Sequence, residues 1–251
     1  MPLLESLAGS GYGQVALSMD ARSGASVREL PQTVVALKQK GVDVRVLFLE
    51  AKDETLIKRF SETRRRHPLS EGGLTVAEGI AREREMLGAI GEFGHHIDTS
   101  EISPNTLRSW IKSLVEVDRS RLTVLFESFG FKQGIPLDAD FVFDVRCLPN
   151  PYYEPRLREL TGLDAAVAAY LEADESTRNM YRDIHAFIAT WLPAFKSENR
   201  SYLTIAIGCT GGQHRSVYFA ERLGAAFGAD NQVMIRHRQV PLSKTITAAV
   251  D

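Results

Sequence analysis

A cysteine, an arginine and several small polar residues fall close together in the stretch 208–216, which runs Gly-Cys-Thr-Gly-Gly-Gln-His-Arg-Ser. The residues before it, 202–207, are largely apolar or β-branched, which predicts a buried strand. After it, apolar residues recur at three- and four-residue spacing from Val217 to Phe227, which predicts one face of a helix. Because the free N–H groups at the start of a helix attract anions, the pattern predicts an anion-binding turn, with a phosphate as the expected ligand.

The residue types in this turn suit a phosphate. Gly211 and Gly212 allow the backbone to approach a ligand without a Cβ in between. Arg215 offers paired N–H donors that match phosphate oxygens, and hydroxyl groups nearby add further donors. The candidate anion site comprises Cys209, Thr210, Gly211, Gly212, Gln213, His214, Arg215 and Ser216.

The same residues have the Cys-x5-Arg-Ser spacing of cysteine-dependent phosphatases, in which a thiolate attacks phosphorus. A cysteine at a helix N-terminus beside an arginine has a lowered pKa, so Cys209 is a candidate nucleophile. Against this alternative, Gly208 stands where those phosphatases usually have a histidine, and the stretch 191–194, Trp-Leu-Pro-Ala, lacks the acid of their Trp-Pro-Asp loop. A third possibility is a structural glycine turn with a buried, inert cysteine.

The bulk composition is that of a globular protein. The chain has 251 residues, of which 44% are hydrophobic and 25% charged, and its formal net charge is −2. Nucleic-acid binding would therefore need a local basic patch. No apolar run approaches the ~18 residues of a membrane span, and two cysteines suit a reducing compartment. The sequence predicts a cytoplasmic protein without a membrane partner.

The first half alternates predicted strands with predicted helices, which indicates a parallel sheet. Strands are predicted over Val15–Asp20 and Val42–Leu49, with a helix over Val27–Lys40 between them. A further helix begins near Asp53 and ends in the basic run of Arg64, Arg65 and Arg66. These arginines are candidates for a lid over phosphates, and the alternative is a solvated helix end.

The second half has predicted strands at 122–126, 141–146 and 232–235, and a long amphipathic helix around Tyr181–Leu192. A polar stretch at 117–120 separates two apolar segments. We therefore predict two α/β domains, residues 1–118 and residues 119–251. His95 and His96 are adjacent and point in different directions on a regular element, so no metal site is predicted.

Taken together, ordered motifs along nearly the whole chain closely resemble the RapZ/YvcJ family, bacterial nucleotide-binding proteins of which some act as RNase adapters. The motifs are those at 64–65, 67–69, 98–100, 127–132, 143–146, 148–151, 161–164, 199–203 and 208–216. The resemblance implies a P-loop-kinase-like parallel-sheet domain that binds ATP or GTP with weak hydrolysis, followed by a second α/β domain. In the adapter branch the second domain binds a small RNA and an amino-sugar phosphate.

The resemblance also implies roles for particular residues and partners. The guanine-nucleotide segment of the family falls on Asp20, Ala21, Arg22 and Ser23, and its C-terminal ligand turn falls on Cys209–Ser216. The implied partners are a nucleotide, a small phosphorylated ligand, a small RNA and an RNase, and the protein is expected to form a homo-oligomer.

Three departures from the family pattern modify these expectations. The 251 residues contain no Gly-x-x-x-x-Gly-Lys-Ser phosphate loop, so we expect an N-terminally truncated, incomplete nucleotide domain with weak nucleotide binding, no Mg²⁺-holding hydroxyl and no hydrolysis. Tyr152 replaces a histidine of the adapter branch. Of that branch's basic tail only Arg236, Arg238 and Lys244 remain as RNA-binding candidates.

Overall fold

The computed structural model describes residues 15–63, 66–70, 73–91, 94–116, 122–197 and 202–241. The chain divides into two compact units, Met1–Ser100 and Glu101–Asp251. Both are α/β with parallel strands, which confirms the predicted fold class. The boundary predicted near residue 118 stays a prediction.

The first unit pairs two short parallel strands, with helices before, between and around them. Its elements are α1 (Ala25–Gln39), β1 (Leu47–Glu50), α2 (Asp53–Thr63), α3 (Val76–Gly91) and β2 (His95–Asp98). Glu50 lies opposite Asp98 in the register, so both strands end at the same edge. A short 3₁₀ turn, Ala21–Ser23, precedes α1.

Two predicted strands in this unit differ from the structure. The stretch 15–20 is irregular, because no described strand lies beside it to accept its backbone hydrogen bonds. The second strand begins only at Leu47, because residues 47–50 are the part that pairs with β2. The strands were predicted from apolar residues alone, whereas a strand forms only where the backbone pairs with a neighbouring strand.

The second unit is a four-stranded parallel sheet flanked by longer helices. Its elements are α4 (Pro104–Glu116), β3 (Thr123–Gly130), β4 (Phe141–Asp144), α5 (Ala165–Ala173), α6 (Glu175–Ser197), β5 (Tyr202–Cys209), α7 (Arg215–Gly228) and β6 (Gln232–His237). The strand order is β4-β5-β3-β6. In the register Gly130 lies opposite Cys209 and Asp144 opposite Gly208, so three strands end together at one edge.

One face of this sheet forms the apolar core. Alternate residues of β3 and β5, such as Phe126 and Ile205, pack with Leu171 of α5, Ile188 of α6 and Phe219 of α7. All are buried, so β5 and α7 are held firmly on either side of the turn that joins them. That turn, residues 210–214, is the predicted anion-binding stretch.

Candidate functional site

The turn between β5 and α7 lies at the carboxyl edge of the second sheet, which is where ligands bind in open α/β sheets. Thr210, Gly211 and Gln213 are exposed, whereas Gly212 and His214 are buried. The outward side of the turn is therefore not filled by packed apolar groups. The structure brings all eight predicted residues, Cys209–Ser216, into one compact bend.

The start of α7 is only partly capped, because its N-cap side chain makes no capping hydrogen bond and the Ser216 N–H donates to the Cys209 sulfur. His214 occupies the N-cap position without making a capping hydrogen bond, and its Nε2 lies 3.2 Å from the carbonyl oxygen of Leu157 instead. The N–H groups of the first helical turn carry partial positive charge and normally donate to a capping group or an anion. This end of α7 is thus suited to an anion.

Arg215 is 3% exposed. Its Nη1 donates to the carbonyl oxygens of Arg146 and Leu148 at 2.8 and 2.9 Å, and its Nη2 donates to the Thr210 hydroxyl at 3.3 Å. Its Nε has no hydrogen-bond partner among the described residues. The guanidinium therefore fixes the turn to the loop after β4. It leaves fewer free donors for a ligand than the bidentate contact predicted from the sequence.

Cys209 is 3% exposed, and its sulfur is surrounded by hydrogen-bond donors of the turn. The Sγ atom lies 3.1 Å from the Ser216 Oγ and accepts from the Gly212 N–H at 3.2 Å. Burial by itself raises the pKa of the Cys209 thiol. The hydrogen bonds from Ser216 and Gly212 and the charge of Arg215 outweigh it, so the net pKa is lowered. The thiol therefore lies beside the arginine charge that the sequence pattern placed near it, and it also has hydrogen-bond donors from the turn.

The adjacent glycines Gly211 and Gly212 have different roles in the turn. Gly212 has φ +73°, and a Cβ there would lie 2.7 Å from the backbone nitrogen of Gly130. Only glycine fits this position without strain. Gly211, in contrast, has open space where a Cβ would lie. It is the glycine that leaves room for a ligand.

Asp144 and Arg146 form an exposed ion pair beside the turn, which the sequence-based list of site residues omitted. Arg146 donates Nε–H to the Asp144 carboxylate at 3.0 Å and stacks on Phe131 at 3.9 Å. The hydrogen bond from Arg146, with the charge of Arg215 nearby, lowers the pKa of Asp144. The available signal was an aspartate at the end of the strand that pairs with β5.

The two described RNA candidates are not on the surface. Arg236 and Arg238 are 3% and 9% exposed. Arg238 donates to the fully buried Glu127 at 3.1 Å, and Arg236 stacks on Trp110 of α4 at 4.6 Å. The predicted strand 232–235 extends to His237, because these charges are paired or stacked inside the fold. Their burial weighs against a role in contacting RNA phosphates, and Lys244 lies outside the described residues.

In the first unit the predicted nucleotide segment forms the 3₁₀ turn before α1. The Asp20 carboxylate caps this turn by accepting from the Arg22 N–H at 3.0 Å, and it also pairs with the Arg22 side chain. That side-chain hydrogen bond lowers the pKa of Asp20. Ala21 is buried, whereas Ser23 is half-buried.

The predicted lid arginines are only partly described. Arg64 and Arg65 lie outside the described residues, and Arg66 is exposed after the end of α2 at Thr63. Two other arginines reach the carboxyl edge of the strand pair. Arg59 donates to the Thr99 carbonyl at 2.6 Å, and Arg84 donates to Asp53 at 2.8 Å. Sequence reasoning missed both; the available signal for Arg59 was its place on the helix that follows β1.

Within the described ranges, no three His, Cys, Asp or Glu side chains lie close enough together to hold a metal ion. None of the helices in the described part of the chain is long and apolar enough to cross a bilayer.

Comparison with known proteins places the chain in a family. Residues 2–119 match the RapZ-like N-terminal domain, and residues 122–241 match the RapZ C-terminal domain. A protein of Chromobacterium violaceum named "Nucleotide-binding protein" is 60% identical over 92% of this chain and 82% of its own length. Proteins of the same name from Thiobacillus denitrificans and Methylobacillus flagellatus are each 57% identical, over 95% and 94% of this chain and 86% and 84% of their own lengths. The chain therefore belongs to the RapZ family, as its motifs indicated.

Proposed function

We propose that this chain is a cytoplasmic regulatory protein that binds a small phosphorylated ligand at the turn between β5 and α7. At the start of α7 the N-cap residue His214 makes no capping hydrogen bond. The observation that carries the proposal is the buried Arg215 at this place. Its Nε has no hydrogen-bond partner among the described residues. A buried N–H without an acceptor costs about 1–3 kcal/mol, and a phosphate oxygen is a suitable acceptor. A phosphate at this place would meet the helix N–H groups and the guanidinium together.

Room for the ligand exists on the outer side of the turn. Gly211 is exposed and has no atom near the position of a Cβ, and the hydroxyl of the exposed Thr210 lies beside it. Thr210 already accepts a hydrogen bond from Arg215, so its own O–H can turn towards an anion. These groups would contact a phosphate without any movement of the buried core.

A phosphatase is the alternative function, and one observation favours it: the lowered pKa of the Cys209 thiol. Three others oppose it. Cys209 is almost fully buried, and a Cβ on Gly208 would lie 2.4 Å from the Phe131 ring, which excludes the histidine of those enzymes. The low pKa of Asp144 keeps this neighbouring carboxylate ionised at neutral pH, so it holds no proton for a leaving group.

Nucleotide binding in the first unit is the second part of the proposal. It is supported by the names of the relatives and by the segment 20–23, which stands beside α1 with an exposed Asp20–Arg22 pair. The ligand would be ATP or GTP. Since the 251 residues contain no Gly-x-x-x-x-Gly-Lys-Ser loop, we expect weak binding and no hydrolysis.

The adapter role, in which a small RNA and an RNase are partners, is the third part, and family membership is its support. The buried Arg236 and Arg238 do not supply its RNA contacts. An electrophoretic shift of structured RNA that persists near about 150 mM salt is the expected result, and a shift lost at that salt would reject this part.

The phosphate site is tested by calorimetric titration with inorganic phosphate. Gly211→Ala places a methyl group in the open space and is expected to weaken binding about tenfold without changing stability. Gly228→Ala is the matched control, because Gly228 also has open space but lies at the opposite, negative end of α7. Equal affinities of the two variants, or no binding by the unmodified chain, would reject the site.

Two further measurements separate the remaining parts. We expect no hydrolysis of an aryl phosphate beyond that of Cys209→Ser, and activity that this substitution abolishes would establish the phosphatase instead.

For the nucleotide, Asp20→Ala is compared with Asp43→Ala, since each aspartate pairs with an arginine two residues later. Loss of GTP binding in the first variant alone is expected, and equal GTP affinities would reject the segment.

A further inference from the structure

Gln239 lies two residues after the end of β6, and its side chain lies against Gly130 and the anion-binding turn. Its Oε1 accepts a hydrogen bond from the Gly130 N–H at 2.9 Å. The same oxygen would lie 2.4 Å from a Cβ placed on Gly212. A single side-chain oxygen thus sits between the end of β3 and the turn after β5.

The backbones of β3 and the turn are also in direct contact. A Cβ on Gly130 would lie 2.8 Å from the Gly211 carbonyl carbon, and one on Gly212 would lie 2.7 Å from the Gly130 nitrogen. The backbones of these residues therefore pack against one another, and neither Gly130 nor Gly212 has room for a side chain. Because Gln239 fixes the N–H of Gly130, and the Gly130 backbone contacts the turn, Gln239 also limits the positions that the backbone of the turn can take.

Gln239 is itself held rigidly by the residues before it. The Arg238 N–H donates to the Ser128 carbonyl at 3.1 Å, and the Arg238 side chain pairs with Glu127. His237 Nδ1 lies 2.9 Å from the Ser128 hydroxyl oxygen. The end of β6 is fixed to β3 on both faces of the sheet, so it presents the carboxamide of Gln239 in one place.

We propose that Gln239 is a positioning residue for the anion-binding turn, which orients the peptide between Gly211 and Gly212. This inference rests on the proposed phosphate site. The Gly212 N–H donates to the Cys209 sulfur, and Gly211 borders the space for the ligand. Orientation of this peptide therefore governs both the anion site and the environment of the thiol.

The test uses two readouts in a Cys147→Ser background, because Cys147 is the only other cysteine in the sequence. One is the affinity for inorganic phosphate. The other is the pH profile of iodoacetamide alkylation of Cys209, which reports on the turn without any ligand. Gln239→Met removes the acceptor at similar length and is expected to lower both the phosphate affinity and the alkylation rate at neutral pH about tenfold.

Gln232→Met is the matched control. Gln232 stands at the other end of β6, and its Nε2 donates to the Thr123 hydroxyl at 2.5 Å. This variant also loses a glutamine hydrogen bond, so it shows what a loss of stability does without a change at the turn. We expect the phosphate affinity and the alkylation profile of the unmodified chain. Gln239→Leu is the second variant, because it also removes the acceptor for the Gly130 N–H.

The outcomes separate the positioning role from the site itself. If the unmodified chain binds no phosphate, the proposed function fails, and the alkylation profile still tests Gln239. If Gln239→Met leaves the alkylation profile unchanged, or if Gln232→Met changes it equally, the positioning role is rejected. Should Gln239→Met fail to fold, Gln239→Leu takes its place. It is expected to slow alkylation and to weaken phosphate binding, and wild-type behaviour in both readouts would reject the role.

Discussion

The sulfur of Cys209 and the hydroxyl oxygen of Ser216 lie 3.1 Å apart across the turn that joins β5 to α7. The sulfur ends β5 and the hydroxyl stands at the second residue of α7, so this contact closes the turn on its inner side. The Gly212 N–H reaches the same sulfur. The inner side of the turn thus surrounds the thiol, and its outer side faces solvent at Thr210 and Gly211.

The first prediction concerns the ionisation of this thiol. Ser216→Ala removes the hydroxyl and is expected to raise the pKa of Cys209 towards its ordinary value, because the thiolate loses a hydrogen bond. Iodoacetamide alkylation over pH 6–10 in a Cys147→Ser background measures the shift, with Cys209→Ser as the baseline. An unchanged profile would contradict the role given to Ser216.

The second prediction concerns the stability of the turn. Gly212→Ala is expected to cost at least about 2 kcal/mol of unfolding free energy, because it combines a positive φ with contacts below 3.0 Å to backbone atoms. Gly211→Ala is expected to change it by less than about 0.5 kcal/mol. Urea denaturation followed by circular dichroism compares the two, and similar losses would contradict the geometry of the turn.

The sequence was sufficient to predict the strand–turn–helix that builds the site. The apolar run before Cys209 and the helical spacing after Arg215 gave β5 and α7 within a few residues, because both elements pack into one core. It was not sufficient for the ends of β3 and β6. Those strands continue through Glu127 and Arg236, whose charges are buried.

The reason is that such burial depends on a distant partner. Glu127 and Arg238 are 111 residues apart in the sequence, and only the register of β3 with β6 brings them together. The contact of Gln239 with Gly130 depends on the same pairing. The family resemblance made Arg236 and Arg238 candidates for RNA binding, whereas the structure has them in a buried polar cluster.

The third prediction concerns pH. Burial, together with the charge of Asp138, raises the pKa of Glu127 from 4.5 to about 7, despite the opposing charges of Arg236 and Arg238. The folded state then binds more protons than the unfolded chain between these two values. Stability contributed by Glu127 is therefore fully present below about pH 4.5 and is lost as the pH rises to about 7.

Glu127→Gln tests this contribution. The difference in unfolding free energy between the unmodified chain and the variant should change by up to the order of 3 kcal/mol between pH 5 and pH 8. The change should favour the unmodified chain at the lower pH. The exposed Glu175→Gln is the control and should show no such slope. A slope of opposite sign would show that Arg238 dominates the titration of Glu127.

The fourth prediction compares the two tryptophans of the chain. Trp110 is buried and stacks on Arg236, so Trp110→Ala is expected to cost roughly 3–5 kcal/mol. Trp191 is 50% exposed, so Trp191→Ala is expected to cost no more than about 1 kcal/mol. Each variant keeps the other tryptophan as a fluorescent reporter in urea denaturation. Equal losses of unfolding free energy in the two variants would contradict the packing of α4 on the sheet.

The fifth prediction separates stability from RNA binding. Arg238→Ala leaves Glu127 without its ion-pair partner in the core and is expected to cost roughly 3–5 kcal/mol at about pH 8, where the Glu127 carboxylate is ionised. The exposed Arg178→Ala should cost less than about 0.5 kcal/mol. Any loss of RNA binding in Arg238→Ala should therefore follow the loss of folded protein, as measured by circular dichroism at the same temperature. If Arg238→Ala instead keeps its full stability and loses a salt-resistant RNA shift, Arg238 contacts RNA directly and the buried ion pair does not represent the binding state.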